Sequence, residues 1–108
     1  MNGSGYKFRI LSNVDTNRFM RTFLRICKKH PMILEGICVK SKEGYVIYMK
    51  YMMNMEPNDL ARHVFRDDGL WREIFVSRER VGDILRVFER IPGHGCYFSR
   101  IRREIFVK

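Results

Sequence analysis

Five basic residues recur at spacings of three and four within residues 16–30, a segment that contains no acidic residue: Arg18, Arg21, Arg25, Lys28 and Lys29. In a helix, which turns by about 100° per residue, these side chains project within a sector of about 100°, and the apolar residues occupy the other side. Like charges at these spacings destabilise an isolated helix. A polyanion that binds the five cations, such as a nucleic-acid phosphate backbone, gives the most direct physical reason for the pattern. A solvated basic face is the alternative interpretation.

The positive charge of the chain is concentrated in its first half. The 108 residues carry a formal net charge of +9. Residues 1–55 contain ten Lys and Arg against three Asp and Glu, a difference of +7, whereas residues 56–108 contain eleven against nine. Such a field accelerates association with nucleic acid or with acidic membranes. Three further basic residues lie near the end of the sequence, and we predict that they also contact nucleic acid: Arg100, Arg102 and Arg103.

The cysteine pattern predicts reduced thiols and no cofactor. Cys27, Cys38 and Cys96 follow neither the spacing of a disulfide framework nor that of a zinc site. The N-terminus lacks the apolar core of a signal peptide, and no window approaches eighteen apolar residues. We therefore expect a cytoplasmic or nuclear protein with no membrane span, in which residues 1–5 form a flexible lead and residues 6–108 form one domain.

Apolar periodicity and turn residues predict the element order β-α-β-β-α-β-α-β. Strands are predicted over residues 6–11, 32–39, 45–53, 71–76 and 96–106. The basic helix follows N-cap residues at 12–15 and ends before Pro31; the second begins at Pro57 and closes at Asp67-Asp68-Gly69; the third is capped by Ser77. The first six elements match the split βαβ arrangement of ferredoxin-like domains. We expect an α+β fold with an antiparallel sheet whose helices cover one face.

Two strand segments loosely resemble those of RNA-recognition motif domains, which share this element order and stack bases on sheet aromatics. The segments are residues 8–14, FRILSNV, and residues 42–51, KEGYVIYMKY. The resemblance implies that Phe8, Tyr45 and Tyr51 stack on single-stranded bases. Ile10 and Ile47 stand where further aromatics are expected, and ordinary packing of the aromatics in a sheet is the alternative.

A second resemblance covers more of the chain. Residues 8–13, residues 44–48 and residues 71–76 are similar to the strands of the N-terminal HUH-type nuclease domain of rolling-circle replication initiators from small circular single-stranded DNA viruses. The metal-binding pair of that family is replaced by Ser41-Lys42-Glu43, and residues 85–90 contain no tyrosine. The resemblance therefore implies a nuclease scaffold that has kept nucleic-acid contact and lost cleavage.

These patterns lead to one main hypothesis and two alternatives. The main hypothesis is a non-enzymatic viral protein whose basic helix contacts the phosphate backbone of duplex RNA or DNA, as in a silencing suppressor or a replication accessory factor. The first alternative is a metal-dependent nicking nuclease that depends on Tyr97 or His94. The second is a homodimeric interaction module that pairs through the open sheet face or an edge strand, and it is compatible with nucleic-acid binding.

Overall fold

The computed structural model describes residues 3–66 and 69–108. The strands are β1 (Ser4–Leu11), β2 (Ile33–Lys40), β3 (Gly44–Tyr51), β4 (Glu73–Arg78), β5 (Gly95–Ser99) and β6 (Glu104–Val107), and the helices are α1 (Thr16–Lys29), α2 (Pro57–Val64) and α3 (Ile84–Arg90). The six strands form one antiparallel sheet in the order β4-β1-β3-β2-β5-β6. The predicted α+β class with a ferredoxin-like arrangement is confirmed. No helix in the described part of the chain is both long and apolar enough to cross a membrane.

Local capping explains the bounds of α1. The side chain of Asp15 accepts a hydrogen bond from the backbone N–H of Arg18 at 3.0 Å, as predicted for the N-cap. At the other end, the His30 N–H donates to the Ile26 carbonyl at 3.0 Å, and Pro31 follows outside the helix. The apolar side of the helix, including Phe19 and Phe23, is buried.

Strand alternation places one set of side chains in the main core. Tyr6, Phe8 and Ile10 of β1 lie opposite residues of β3, and their side chains are buried beneath α1 and α2. The Phe19 ring of α1 stacks on Tyr45 with centroids 3.7 Å apart. On the α2 side, Phe8 contacts Phe65, which follows that helix, in an edge arrangement. We call this side of the sheet the helix face.

The third helix packs on the other side of the sheet. Ile84 and Phe88 of α3 form a second buried cluster with Ile37 of β2 and Tyr97 of β5. Their neighbours along these two strands point to the helix face, so β2 and β5 are apolar on both sides. The expectation that the helices cover one face therefore holds for α1 and α2 and is wrong for α3.

Several helix and strand boundaries differ from those predicted from the sequence. β1 begins at Ser4, so part of the expected flexible lead pairs with Tyr51 and its neighbour in β3. Ser77 lies inside β4, and Asp83 is the N-cap of α3. The single strand expected at the end is two strands joined by a turn, in which Arg103 has φ 56°. α2 ends at Val64, and the closure predicted at Asp67-Asp68 lies outside the described residues.

We predict that Gly5→Ala destabilises the fold by about 1–3 kcal/mol, the usual range for inserting atoms into a packed site. A Cβ at Gly5 would meet the Glu79 carbonyl oxygen and lie 2.9 Å from Cγ2 of Val81. Gly82→Ala is the matched control, because a Cβ there meets nothing within 4 Å. Urea unfolding of both variants tests this, and equal midpoints would contradict the close packing at Gly5.

Candidate nucleic-acid interface

The five predicted cations of α1 are all exposed along one side of the helix: Arg18, Arg21, Arg25, Lys28 and Lys29. Their common side follows from the burial of the apolar side against the sheet. The helix has 14 residues, which gives a row about 21 Å long at about 1.5 Å per residue. We call these five side chains the α1 basic face.

Two shallow surface cavities adjoin the α1 basic face. The first, of about 350 Å³, is lined by the three arginines of α1 together with Thr22 and Leu70. The second, of about 500 Å³, shares Arg18 and is also lined by Trp71 and Arg72. Arg72 therefore extends the basic surface beyond the helix. Sequence reasoning missed it because its position depends on how residues 69–72 pack beside α1.

The C-terminal end of α1 adjoins the end of α2. The rings of His30 and His63 meet edge to face with centroids 5.3 Å apart. Partial burial lowers the pKa of His30, and the positive charges of His63, Lys29 and Arg66 lower it further. Burial is the largest cause of this pKa shift, and the charge of Arg66, which sequence reasoning did not identify, adds to it.

Arg100 has a structural position, which corrects its predicted role. Its guanidinium donates to the backbone carbonyls of Ile33 and His30 at 3.1 Å each and to that of Cys27. It also lies over the Phe98 ring, 5.2 Å from the centroid. A cation at a helix C-terminus satisfies the last carbonyls and opposes the helix dipole. Arg100 therefore stabilises the end of α1 and does not present its charge to a phosphate.

Arg102 and Arg103 lie in the exposed turn between β5 and β6. The neighbouring Arg100 reaches the end of α1, so this turn lies at the same end of the molecule as Lys28 and Lys29. Arg102 contacts the Glu104 carboxylate at 3.4 Å. Arg102 and Arg103 therefore remain exposed cations that the structure does not place in contact with the α1 basic face.

Phe8, Tyr45 and Tyr51 are buried, so the prediction that they stack on bases is wrong. Phe8 and Tyr45 have no exposed surface and Tyr51 is 2% exposed. The Tyr45 hydroxyl donates to the Val14 carbonyl at 2.6 Å. These three aromatic residues belong to the set of strand side chains that α1 and α2 cover.

The structure does not support Tyr97 as the nucleophile of the nuclease alternative. Tyr97 is fully buried, and its hydroxyl donates to a Glu35 carboxylate oxygen at 2.7 Å. Burial raises the pKa of Tyr97 to about 12, which disfavours the phenolate that attacks phosphorus. His94 is exposed in the turn before β5. Within residues 3–66 and 69–108, no group of three or more His, Cys, Asp or Glu side chains is arranged to hold a metal ion.

The three cysteines lie in the core as free thiols. Cys38 and Cys96 are direct partners across β2 and β5, and Cys96 Sγ lies 3.3 Å from Met20 Sδ. Burial raises the pKa of the Cys27, Cys38 and Cys96 thiols, that of Cys96 to about 12. These groups contribute to packing and present no thiolate at the surface.

Comparison with protein-family models, with curated proteins and with solved structures finds no match for this chain.

We predict that Arg100→Ala lowers the free energy of unfolding by about 1.5–3 kcal/mol, the range for hydrogen bonds to a charged group. The variant leaves the final carbonyls of α1 without their donor. Arg103→Ala is the control, because this exposed side chain lies in the same region outside the core. Chemical denaturation measures both variants. Equal loss of stability in the two would contradict the assigned role of Arg100.

Proposed function

We propose that this protein binds the phosphate backbone of duplex RNA or DNA through the α1 basic face. The observation that carries the proposal is the exposure of five like charges along one side of a helix whose other side is buried. Arg72 and Arg66 extend the same positive surface at the two ends of the helix. A phosphate backbone supplies the complementary row of negative charges.

The binding energy comes mainly from the release of counterions. When Lys and Arg neutralise phosphates of B-DNA, the logarithm of the binding constant falls with the logarithm of salt concentration by about 0.9 per phosphate. Five contacts from the α1 basic face correspond to a slope of about −4.5. Phosphate contacts position the protein but do not read bases, so we propose binding that tolerates different sequences.

The rigidity of α1 favours a duplex over a flexible strand. Packing against the sheet holds the five cations on a straight element about 21 Å long. Double-stranded RNA is recognised mainly through the shape of its backbone, which suits such a row. A silencing suppressor or replication accessory factor of viral origin, acting in the cytoplasm or nucleus, would use this kind of binding. The replication-initiator resemblance supports the same proposal through the implied loss of cleavage chemistry.

Charge reversal of Arg18, Arg21 and Arg25 to Glu tests the proposal. We expect at least about a tenfold weaker affinity for a short duplex and a salt slope smaller by about 3, since each lost phosphate contact reduces the slope by about 1. Fluorescence anisotropy with a labelled duplex at about 50 and about 200 mM salt measures both quantities.

The matched control reverses three exposed arginines elsewhere: Arg80, Arg86 and Arg90. They lie in α3 or just before it, and the control has the same net charge as the α1 variant. Retained binding in the control shows that position matters. An equal loss of duplex affinity in both variants would show that only the net charge matters, and would contradict the α1 site.

A homodimer is a second candidate, favoured by the edge strand β6. Ile105, Phe106 and Val107 are 41%, 43% and 67% exposed on this strand. An antiparallel strand edge is complementary to a second copy of itself about a twofold axis. Such pairing would place two α1 helices on the same side of one continuous sheet and lengthen the basic surface.

We predict a concentration-dependent dimer that Ile105→Lys with Val107→Lys converts to a monomer, because the charges are inserted at the paired edge. Sedimentation equilibrium measures the mass. Ile101→Lys is the control, since Ile101 is 64% exposed in the turn next to β6. A monomer at every concentration in the unmodified protein would contradict the dimer.

A further inference from the structure

Part of the sheet face opposite α1 and α2 is open. α3 covers this face over β2 and β5 through Ile84 and Phe88. At the Gly5 end of β1, the segment after β4 crosses the sheet, and the Glu79 N–H donates to the Gly5 carbonyl at 2.9 Å. Between these two boundaries, Arg9 and Phe75 are exposed and the side chain of Val46 is half-buried. The exposed region spans the three neighbouring strands β4, β1 and β3.

An arginine and a phenylalanine form the centre of this region. Arg9 and Phe75 are cross-strand partners of β1 and β4, and the Arg9 guanidinium lies 4.9 Å from the centroid of the ring. Phe75 is 41% exposed. A guanidinium held over an aromatic ring on a rigid sheet forms a surface on which a planar ring can stack.

A second cation and aromatic ring lie in the adjacent row of the sheet. Lys7 is the cross-strand partner of Tyr48, and its ammonium lies 5.6 Å from the centroid of that ring. Lys7 and Arg9 are two residues apart on β1, which separates the two pairs by about 7 Å along the strand. We call Lys7, Arg9, Val46, Tyr48 and Phe75 the open-face patch.

The charge of the open-face patch is positive. The row through Arg9 contains Phe75 and Val46, and the row through Lys7 contains Ser77 and Tyr48, so neither row brings a carboxylate beside the cations on these three strands. The next row contains Lys50, whose ammonium lies 3.6 Å from Glu35.

Acidic groups lie outside these two rows. Glu43, in the turn before β3, lines a surface cavity together with Arg9, Val46 and the basic Lys42. Glu35 also accepts a hydrogen bond from Tyr97, so its carboxylate is engaged by Lys50 and Tyr97. Glu73 lies at the start of β4, opposite Leu11. Among residues 3–66 and 69–108, neither Lys7 nor Arg9 forms an ion pair, and each lies against an aromatic ring.

We propose that the open-face patch is a second nucleic-acid site, and that it binds a single strand. Unpaired bases present flat faces that stack on Phe75 and the Arg9 guanidinium, while Lys7 contacts the phosphates. Tyr48 packs against the α3 cluster and supports Lys7 from below. A duplex hides its base faces and cannot use the aromatic rings in this way. An apolar protein partner would bury both cations without neutralising them, at a cost in desolvation. The site is distinct from the α1 basic face and does not depend on it.

Phe75→Ala tests the open-face patch with a labelled pyrimidine single strand and with a duplex, both by fluorescence anisotropy. We expect about a tenfold or greater loss of single-strand affinity, since one stacked base contributes about 1–3 kcal/mol, and unchanged duplex affinity. The control is Val87→Ala, because Val87 is 37% exposed on α3, on the same side of the sheet and outside the open-face patch. Thermal unfolding checks that both variants fold.

Arg9→Lys separates stacking from charge. We expect it to weaken single-strand binding while keeping the salt slope of the unmodified protein, because the charge stays and the planar group is lost. Equal single-strand affinity for Phe75→Ala and the unmodified protein would overturn the proposal, as would an equal loss of affinity in Val87→Ala. Duplex binding that is lost only when the α1 arginines are reversed tests the α1 basic face. Single-strand binding tests the open-face patch, so failure at one site is distinguishable from failure at the other.

Discussion

The packing of α1 on the helix face of the sheet determines the two surfaces of this protein. Phe19 stacks on Tyr45 at 3.7 Å, and the apolar side of the helix is buried with it. Because this contact fixes the rotation of the helix about its axis, the five cations must face solvent. The same contact covers one set of strand residues and leaves the alternate set of β1 and β3 to the other side. The α1 basic face and the open-face patch are thus two consequences of one packing arrangement.

The basic helix could be predicted from the sequence because its signals are local. Asp15, the spacing of the cations and Pro31 all lie within a single continuous segment, and the helix forms between them as expected. The alternation of side chains between the two faces of β1 and β3 is also a local property. It divides the residues into two sets but does not show which set the helices cover. Phe8 and Tyr45 were assigned to the open side, although their large apolar surfaces are stabilised most by burial.

Other features depend on contacts between distant parts of the chain. Arg100 resembles a free surface cation in the sequence, yet it binds carbonyls at the end of α1, more than sixty residues earlier. Arg72 joins the basic surface only because residues 69–72 pack beside Arg18. α3 packs where it does because β2 and β5 are apolar on both sides. A short apolar run in the sequence does not show whether a strand is buried on both sides or on one. The positions of these residues and of α3 become defined only when distant strands have assembled into the sheet.

The three thiols in the core have a consequence for how the molecule responds to chemical reagents. Cys27, Cys38 and Cys96 belong to the same buried cluster as the residues between α1 and the sheet. Alkylating reagents require both access and a thiolate, and burial withholds both. Their rate of modification therefore measures how often α1 separates from the sheet, so the unmodified chain contains its own reporter of native-state opening.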